Sequence, residues 1–217
     1  MSTDAVNAGA VKTSRVEALS DGVFAIVMTL LIIEMFVPEL EHVETPDQLV
    51  PALQGLGPVI FSYVLSFIAL GIFWISHHFQ FHYIHRTDRV LLWLNLLLLM
   101  SVSTVPFSAA LLGRHMMAQP AIILYGCNLI AAGLMLFLHW WYATGDRHLL
   151  RPGTPPELIF LAKRRILLPS ALYLVTIGVS FASTTAALVM FAAIPIVHIL
   201  PSRIDTHWAH RLTPPPQ

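Results

Sequence analysis

Charge is scarce in this chain. Only 11% of its 217 residues are Asp, Glu, Lys or Arg, against about a quarter in soluble domains. The 12 basic and 12 acidic residues cancel to a formal net charge of zero, so nothing points to nucleic acid or to an acidic substrate. Cysteine is nearly missing. Cys127 is the single thiol, which excludes an intramolecular disulfide and makes a poor metal site. It lies inside an apolar run and reads as a small apolar residue, buried or facing lipid. The chain also lacks a P-loop, a dinucleotide motif and a legible Ser/His/Asp or Cys/His arrangement. What it has in quantity is apolar surface: 56% of residues are hydrophobic and the mean hydropathy is +0.72. Water would not tolerate so much of it. An all-α protein of the membrane is expected.

Six apolar runs can be drawn: Ala18–Val37, Val59–His77, Val90–Leu112, Ala121–Ala143, Ile166–Thr184 and Thr185–Leu200. A helix of about 20 residues crosses about 30 Å of hydrocarbon, and the first four runs fit that length. The last two are separated only by Ser183-Thr184-Thr185. As one bent helix they would make about 35 residues, too long for a single span even with tilt. Two short helices and a tight turn are expected instead. The first run has mixed charge before it and no small-residue cleavage site after it, so it reads as a retained helix rather than a signal peptide. Pro38 should end it.

Six transmembrane helices put both termini on one side. Residues 1–14 then form an N-terminal segment, residues 15–201 a six-helix transmembrane domain, and residues 202–217 a tail. With three prolines in Thr213–Gln217 and no core-forming residues there, the tail should be disordered. Orientation follows from the basic residues. Eleven of twelve fall on one side, from Lys12 and Arg15 through Arg86, Arg89, the Arg147–Arg165 group and Arg203 to Arg211, leaving Arg114 opposite. That side is expected to be the cytoplasm, with the protein in the cell membrane. The first outer loop carries Glu39, Glu41, Glu44 and Asp47 and no base, with Glu34 one turn below. It reads either as a vestibule that concentrates cations or as an ordinary solvated loop.

The first helix carries the densest pattern. At about 100° per residue, Leu19, Gly22, Ile26, Leu30, Ile33 and Val37 share a stripe, with Thr29 on its flank. Ser20 and Asp21 lie off it. An ionised carboxylate facing lipid is expensive, so Asp21 needs a reason to be there. One reason is a helix start, where Ser20 and Asp21 accept from unpaired N–H groups near the positive end of the dipole. The other is fixation by polar groups on neighbouring helices, with Trp74, His77, His78 and Asn95 as candidates. Elsewhere, Pro106 should kink its helix, with Ser101, Ser103 and Thr104 able to pair freed carbonyls. Gly126 and Gly133 would allow close helix contact.

The residues Arg15, Ser20, Asp21, Gly22, Ala25, Ile26, Thr29 and Leu30 resemble the R-x-x-x-[FL]-S-D-x-x-x-[AS]-I-x-x-T motif that opens the first helix of the transmembrane protein 175 family. Leu19 stands where phenylalanine is common, a mild departure. The stretches WISHHF at Trp74–Phe79 and LLWLNLLLLMSVSTVPFSAALLG at Leu91–Gly113 resemble its bacterial, single-repeat branch. The similarity covers the chain from about Arg15 to Ile199. It implies a homotetrameric potassium channel in the lipid bilayer, with four first helices lining a central pore and K+ and other monovalent cations as the ions handled. It implies a constriction at Ile26, Leu30 and Ile33, hydroxyl oxygens for ion selectivity from Thr29, and a structural polar network drawn from Arg15, Ser20, Asp21, Trp74, His77 and Asn95. No cofactor and no resident metal are implied. The TVGYG filter of familiar potassium channels is missing; the nearest string is Leu124-Tyr125-Gly126. Weak preference for K+ over Na+ is therefore expected.

Two other readings were open. His78, His82 and His85 would put three imidazoles on one face if their helix continues, as in a histidine-ligated membrane metalloenzyme. There is no HExxH, and acids are sparse nearby, with Asp88 and Asp146 the candidates; His139 and His148 would be interfacial groups bonded to water, headgroups or backbone. A secondary transporter would break helices at mid-membrane in matching halves; Pro106 and Pro195 do not form such a pair.

Overall fold

A computed structural model describes residues 13–33, 45–145 and 149–199. Among them the chain forms eight helices: α1 Thr13–Ile33, α2 Pro46–Gly55, α3 Gly57–Tyr83, α4 Arg89–Ser103, α5 Val105–Arg114, α6 Gln119–Gly145, α7 Pro156–Ser180 and α8 Thr184–Ile199. The described residues contain no sheet, only an isolated bridge between Ile84 and Leu150. The described residues are all-α, as expected.

Four units are long and apolar enough to cross a membrane: α1, α3, the α4–α5 pair taken as Arg89–Arg114, and α6. These correspond to the first four apolar runs, with shifted ends. Helix α1 already runs from Thr13, and α3 continues past His77 to Tyr83. Helix α7 begins at Pro156, ten residues before the apolar run, so Lys163, Arg164 and Arg165 are helical rather than in a loop. Hydropathy marks where lipid begins, and a helix can continue beyond it into the headgroups. The last two runs are separate helices, as expected. Ser183 closes the turn between them: its N–H reaches Val179 O at 2.9 Å, and its Oγ accepts from Ala186 N–H at 3.2 Å, capping α8. Pro195 lies inside α8.

The third run is broken, not merely bent. Pro106 has no N–H to donate to the helix preceding it, and α4 stops at Ser103 with α5 starting at Val105. Ser101, Ser103 and Thr104 donate to the carbonyls of Leu97, Met100 and Ser101 at 2.9, 2.8 and 2.8 Å. Asn128 of α6 braces the break. Its Oδ1 lies 3.0 Å from Thr104 Oγ1, sharing the one hydroxyl hydrogen with Ser101 O, and its Nδ2 donates to Ser108 Oγ at 2.9 Å. At its other end α4 is capped by Asp88, whose Oδ1 accepts from Leu91 N–H at 2.8 Å, while Oδ2 accepts from Tyr142.

Helix α6 is the centre of the core. It packs on α4, α5 and α7, and its Tyr125, Leu129, Leu136 and Trp140 are fully buried. Two of its glycines let α7 approach. A Cβ at Gly126 would stand 2.8 Å from Ile177 Cγ1, and one at Gly133 would collide with Ser170 Oγ. Cys127 is exposed on the outside of the bundle.

One end of the molecule carries most of the described basic residues. Arg15 starts α1, while Arg86 and Arg151 flank the Ile84–Leu150 bridge that joins two loops. Arg165 of α7 donates to His198 O near the end of α8 at 3.2 Å. Arg114 sits at the far end of α5. Pro38, the acids Glu34, Glu39, Glu41 and Glu44, Asp146, His148 and both chain termini lie outside the described residues; Asp47 is exposed in the first turn of α2.

Candidate functional site: the first helix and its polar anchor

Helix α1 has two faces. Val16, Ser20, Phe24, Val27 and Leu31 are buried against α3, α4 and α5. Their spacing of four, four, three and four is the helical period. A second face, about 110° round the helix, is bare in the single chain: Ile26 is 60% exposed, Leu30 40% and Ile33 65%, and the exposure continues to Ile32 at 53%. At about 100° per residue Ile26, Leu30 and Ile33 fall within an arc of about 60°. Thr29 is exposed beside them, its hydroxyl hydrogen donated to Ile26 O at 2.7 Å. The stripe read from the sequence is thus part of the surface that the rest of the subunit leaves uncovered, which also takes in Ala25 and Ile32.

The buried face is held by a polar network. Ser20 Oγ donates to Val16 O at 2.9 Å and accepts from Asn95 Nδ2 at 3.1 Å. Asn95 Oδ1 stands 2.9 Å from His77 Nε2. All three side chains are buried, so each needs these bonds. Outside this cluster, Trp74 Nε1–H donates to Asp21 Oδ1 at 2.8 Å, and one turn away His78 Nδ1 lies 3.3 Å from Glu17 Oε1. Glu17 and Asp21 are spaced by four, as are Trp74 and His78. The two helices therefore meet twice along one seam.

These contacts correct two expectations. Ser20 and Asp21 do not cap a helix start: α1 begins at Thr13, which places them in its second and third turns, and Ser20 bonds back to its own helix. Nor do all the candidate partners converge on Asp21. Trp74 reaches it, but His77 and Asn95 pair with each other and with Ser20, and His78 pairs with Glu17. Arg15 is exposed at the start of α1. The three-imidazole face also fails, because α3 ends at Tyr83 and Ile84 is extended, with φ −76° and ψ 120°. This turns His85 off the face of His78 and His82. Among the described residues no group of three or more His, Cys, Asp or Glu could hold a metal ion.

Other residues of the site escaped the sequence reading. His139 is not interfacial: it is fully buried, with Nδ1 2.6 Å from Gln80 Oε1. Gln80, Ser66 and Tyr125 are also buried polar groups, the last two paired at 3.0 Å. The available signal was helical spacing. His77 and Gln80 are three apart, so they lie on the same side of α3.

Comparison with known proteins places the chain. Residues 15–106 match the family described as endosomal/lysosomal potassium channel TMEM175. A protein of Streptomyces collinus named a potassium channel is 37% identical over 181 residues, covering 82% of this chain and 86% of that one. The crystal structure of a lysosomal potassium-selective channel TMEM175 homologue from Chamaesiphon minutus superposes with a TM-score of 0.76 at 34% identity. It covers 87% of this chain and 96% of that one. The human endosomal/lysosomal proton channel TMEM175 is 39% identical over 99 residues, 43% of this chain and 20% of that protein. With the first-helix motif, its anchor and these relatives in agreement, the chain belongs to the TMEM175 family.

Proposed function

We propose that this protein is a potassium-permeable cation channel of the cell membrane, built from four copies around an axis lined by α1. The observation that carries the reading is the division of α1 into an anchored face and a bare one. Ser20, Asn95 and His77 lock one side to the subunit, while Ile26, Leu30 and Ile33 stand exposed on the other. Relatives named potassium channels, similar over most of their length, support it. No cofactor enters; K+ is the permeant ion.

In this reading the three side chains form successive apolar rings, which offer an ion no ligands and dewet when narrow. Widened, they pass a partly hydrated cation. K+ holds its water less tightly than Na+, so a tight apolar ring favours it modestly. The Thr29 hydroxyl hydrogen is engaged by Ile26 O, leaving its oxygen lone pairs to face the axis as cation ligands. Six crossings, with α7 and α8 as the last pair, and cytoplasmic termini complete the proposal. The basic end of the bundle supports that orientation.

The test is flux through purified protein in liposomes under K+, Na+ and Cs+ gradients. K+ should pass fastest, with flux following voltage and needing no coupled substrate. Ile26→Asn puts a hydrogen-bonding group into one of the three apolar rings and should change conductance or ion preference by several-fold. Wild-type flux and preference in that variant would remove Ile26 from the gate.

A further inference from the structure

The anchor of α1 has a counterpart deeper in the bundle. Gln80 is fully buried and donates from Nε2 to Leu136 O of α6 at 3.0 Å, and its Oε1 lies 2.6 Å from His139 Nδ1. The hydrogen positions on both histidines follow from these partners. Ser20 has one hydroxyl hydrogen. It goes to Val16 O at 2.9 Å rather than to Asn95 Oδ1 at 3.4 Å. Ser20 therefore accepts from Asn95 Nδ2, and Asn95 turns its carbonyl oxygen to His77. A carbonyl oxygen only accepts, so His77 carries its hydrogen on Nε2 and has a bare lone pair on Nδ1. By the same logic Gln80 Oε1 accepts from His139 Nδ1–H, and His139 Nε2 is bare.

Both bare nitrogens, His77 Nδ1 and His139 Nε2, are buried with no hydrogen-bond partner. The two rings are neighbours, with centroids 5.9 Å apart and planes inclined by 31°; Phe81 lies against both, at 4.6 and 5.4 Å. Two acceptors cannot bond to each other. A single group that satisfies both must bring two donor hydrogens. Water has this chemistry: two donated bonds of about 2.8 Å, set by its bent H–O–H angle, bridge acceptors about 4.5 Å apart, within reach of rings this close, and buried waters typically occupy such polar gaps. We propose that one structural water donates to both His77 Nδ1 and His139 Nε2.

That water closes a chain running from the α1 backbone at Val16, through Ser20, Asn95 and His77, then through His139 and Gln80, to the α6 backbone at Leu136. The helix with the bare apolar face is thereby tied to the centre of the core by one hydrogen-bonded path. Substituting either histidine breaks the path at the water.

The test is solid-state NMR of the full chain, labelled with 15N-histidine, in lipid bilayers. Wild type should show His77 as the Nε2–H tautomer and His139 as the Nδ1–H tautomer, with magnetisation passing from water protons to both rings. In His139→Phe the transfer to His77 should be lost, since the second acceptor is gone. The wild-type spectrum is decisive even if that variant does not fold. The opposite tautomer on either ring, a doubly protonated ring, a bound metal found by elemental analysis, or no transfer from water would each overturn the assignment.

Discussion

Asn95→Leu isolates what the polar anchor contributes to holding α1. Leucine has the same branching and number of heavy atoms as asparagine, so no cavity is made, although its two methyls are bulkier than the amide. The change removes two bonds: Asn95 Nδ2 to Ser20 at 3.1 Å and His77 Nε2 to Asn95 Oδ1 at 2.9 Å. Ser20 keeps Val16 O as its acceptor, so losing that partner costs about 0.5–1.5 kcal/mol. His77 is fully buried, and its orphaned N–H costs about 1–3 kcal/mol. The sum is about 1.5–4.5 kcal/mol, and the lower end is favoured because polar contacts between membrane helices average about 0.6 kcal/mol in measured cycles. His77→Phe strands the Asn95 carbonyl in the same way, by about 1–3 kcal/mol. The double variant replaces both partners by apolar groups and should cost less than the two single changes together, with a coupling of about 1–2 kcal/mol. Equilibrium unfolding in mixed micelles measures all four species. Additive losses would refute the reasoning, as would an Asn95→Leu protein as stable as wild type.

Asp21→Ala leaves Trp74 Nε1–H to solvent at an exposed position. It should cost about 0.5–1.5 kcal/mol, less than Asn95→Leu, and shift Trp74 emission; an equal or greater loss in the same unfolding titration would contradict the ranking. Gly126→Ala drives a methyl into Ile177, whose branched side chain is stiff, and should destabilise by about 1–3 kcal/mol. Adding Ile177→Ala removes both of the nearest atoms, and thermal unfolding should then recover part of the loss. Asn128→Leu frees the break between α4 and α5 by removing its bonds to Thr104 and Ser108. Amide exchange around Val102–Ser108 should rise about tenfold, corresponding to about 1.4 kcal/mol; unchanged exchange would show that the serines and threonine stabilise the break unaided.

Hydropathy and spacing suffice for some of this structure. They place the four long apolar helices, a disturbance at Pro106 (expected as a kink, found as a break) and the turn at Ser183, because lipid demands long apolar helices and proline removes a donor wherever it sits. The bare stripe of Ile26, Leu30 and Ile33 was legible too, since helical period alone puts these residues on one face. Helix ends were not legible: hydropathy ends the second run at His77 and starts the fifth at Ile166, whereas α3 continues to Tyr83 and α7 begins at Pro156.

Partner choice was hidden for a different reason. Trp74, His77, His78 and Asn95 could each be recognised as polar groups in search of a bond. Which of them reaches Asp21 depends on how α1, α3 and α4 are rotated about their axes, and that rotation is set by packing across the bundle. The burial of His139 has the same origin, because its position near the end of an apolar run looks interfacial until α3 lies over it. The sequence by itself determined that this chain enters a membrane as helices and which face of the first helix is apolar. Only the tertiary structure decided which polar groups meet, since hydrogen bonds need a few ångströms of proximity that a helical period along one strand of sequence does not specify.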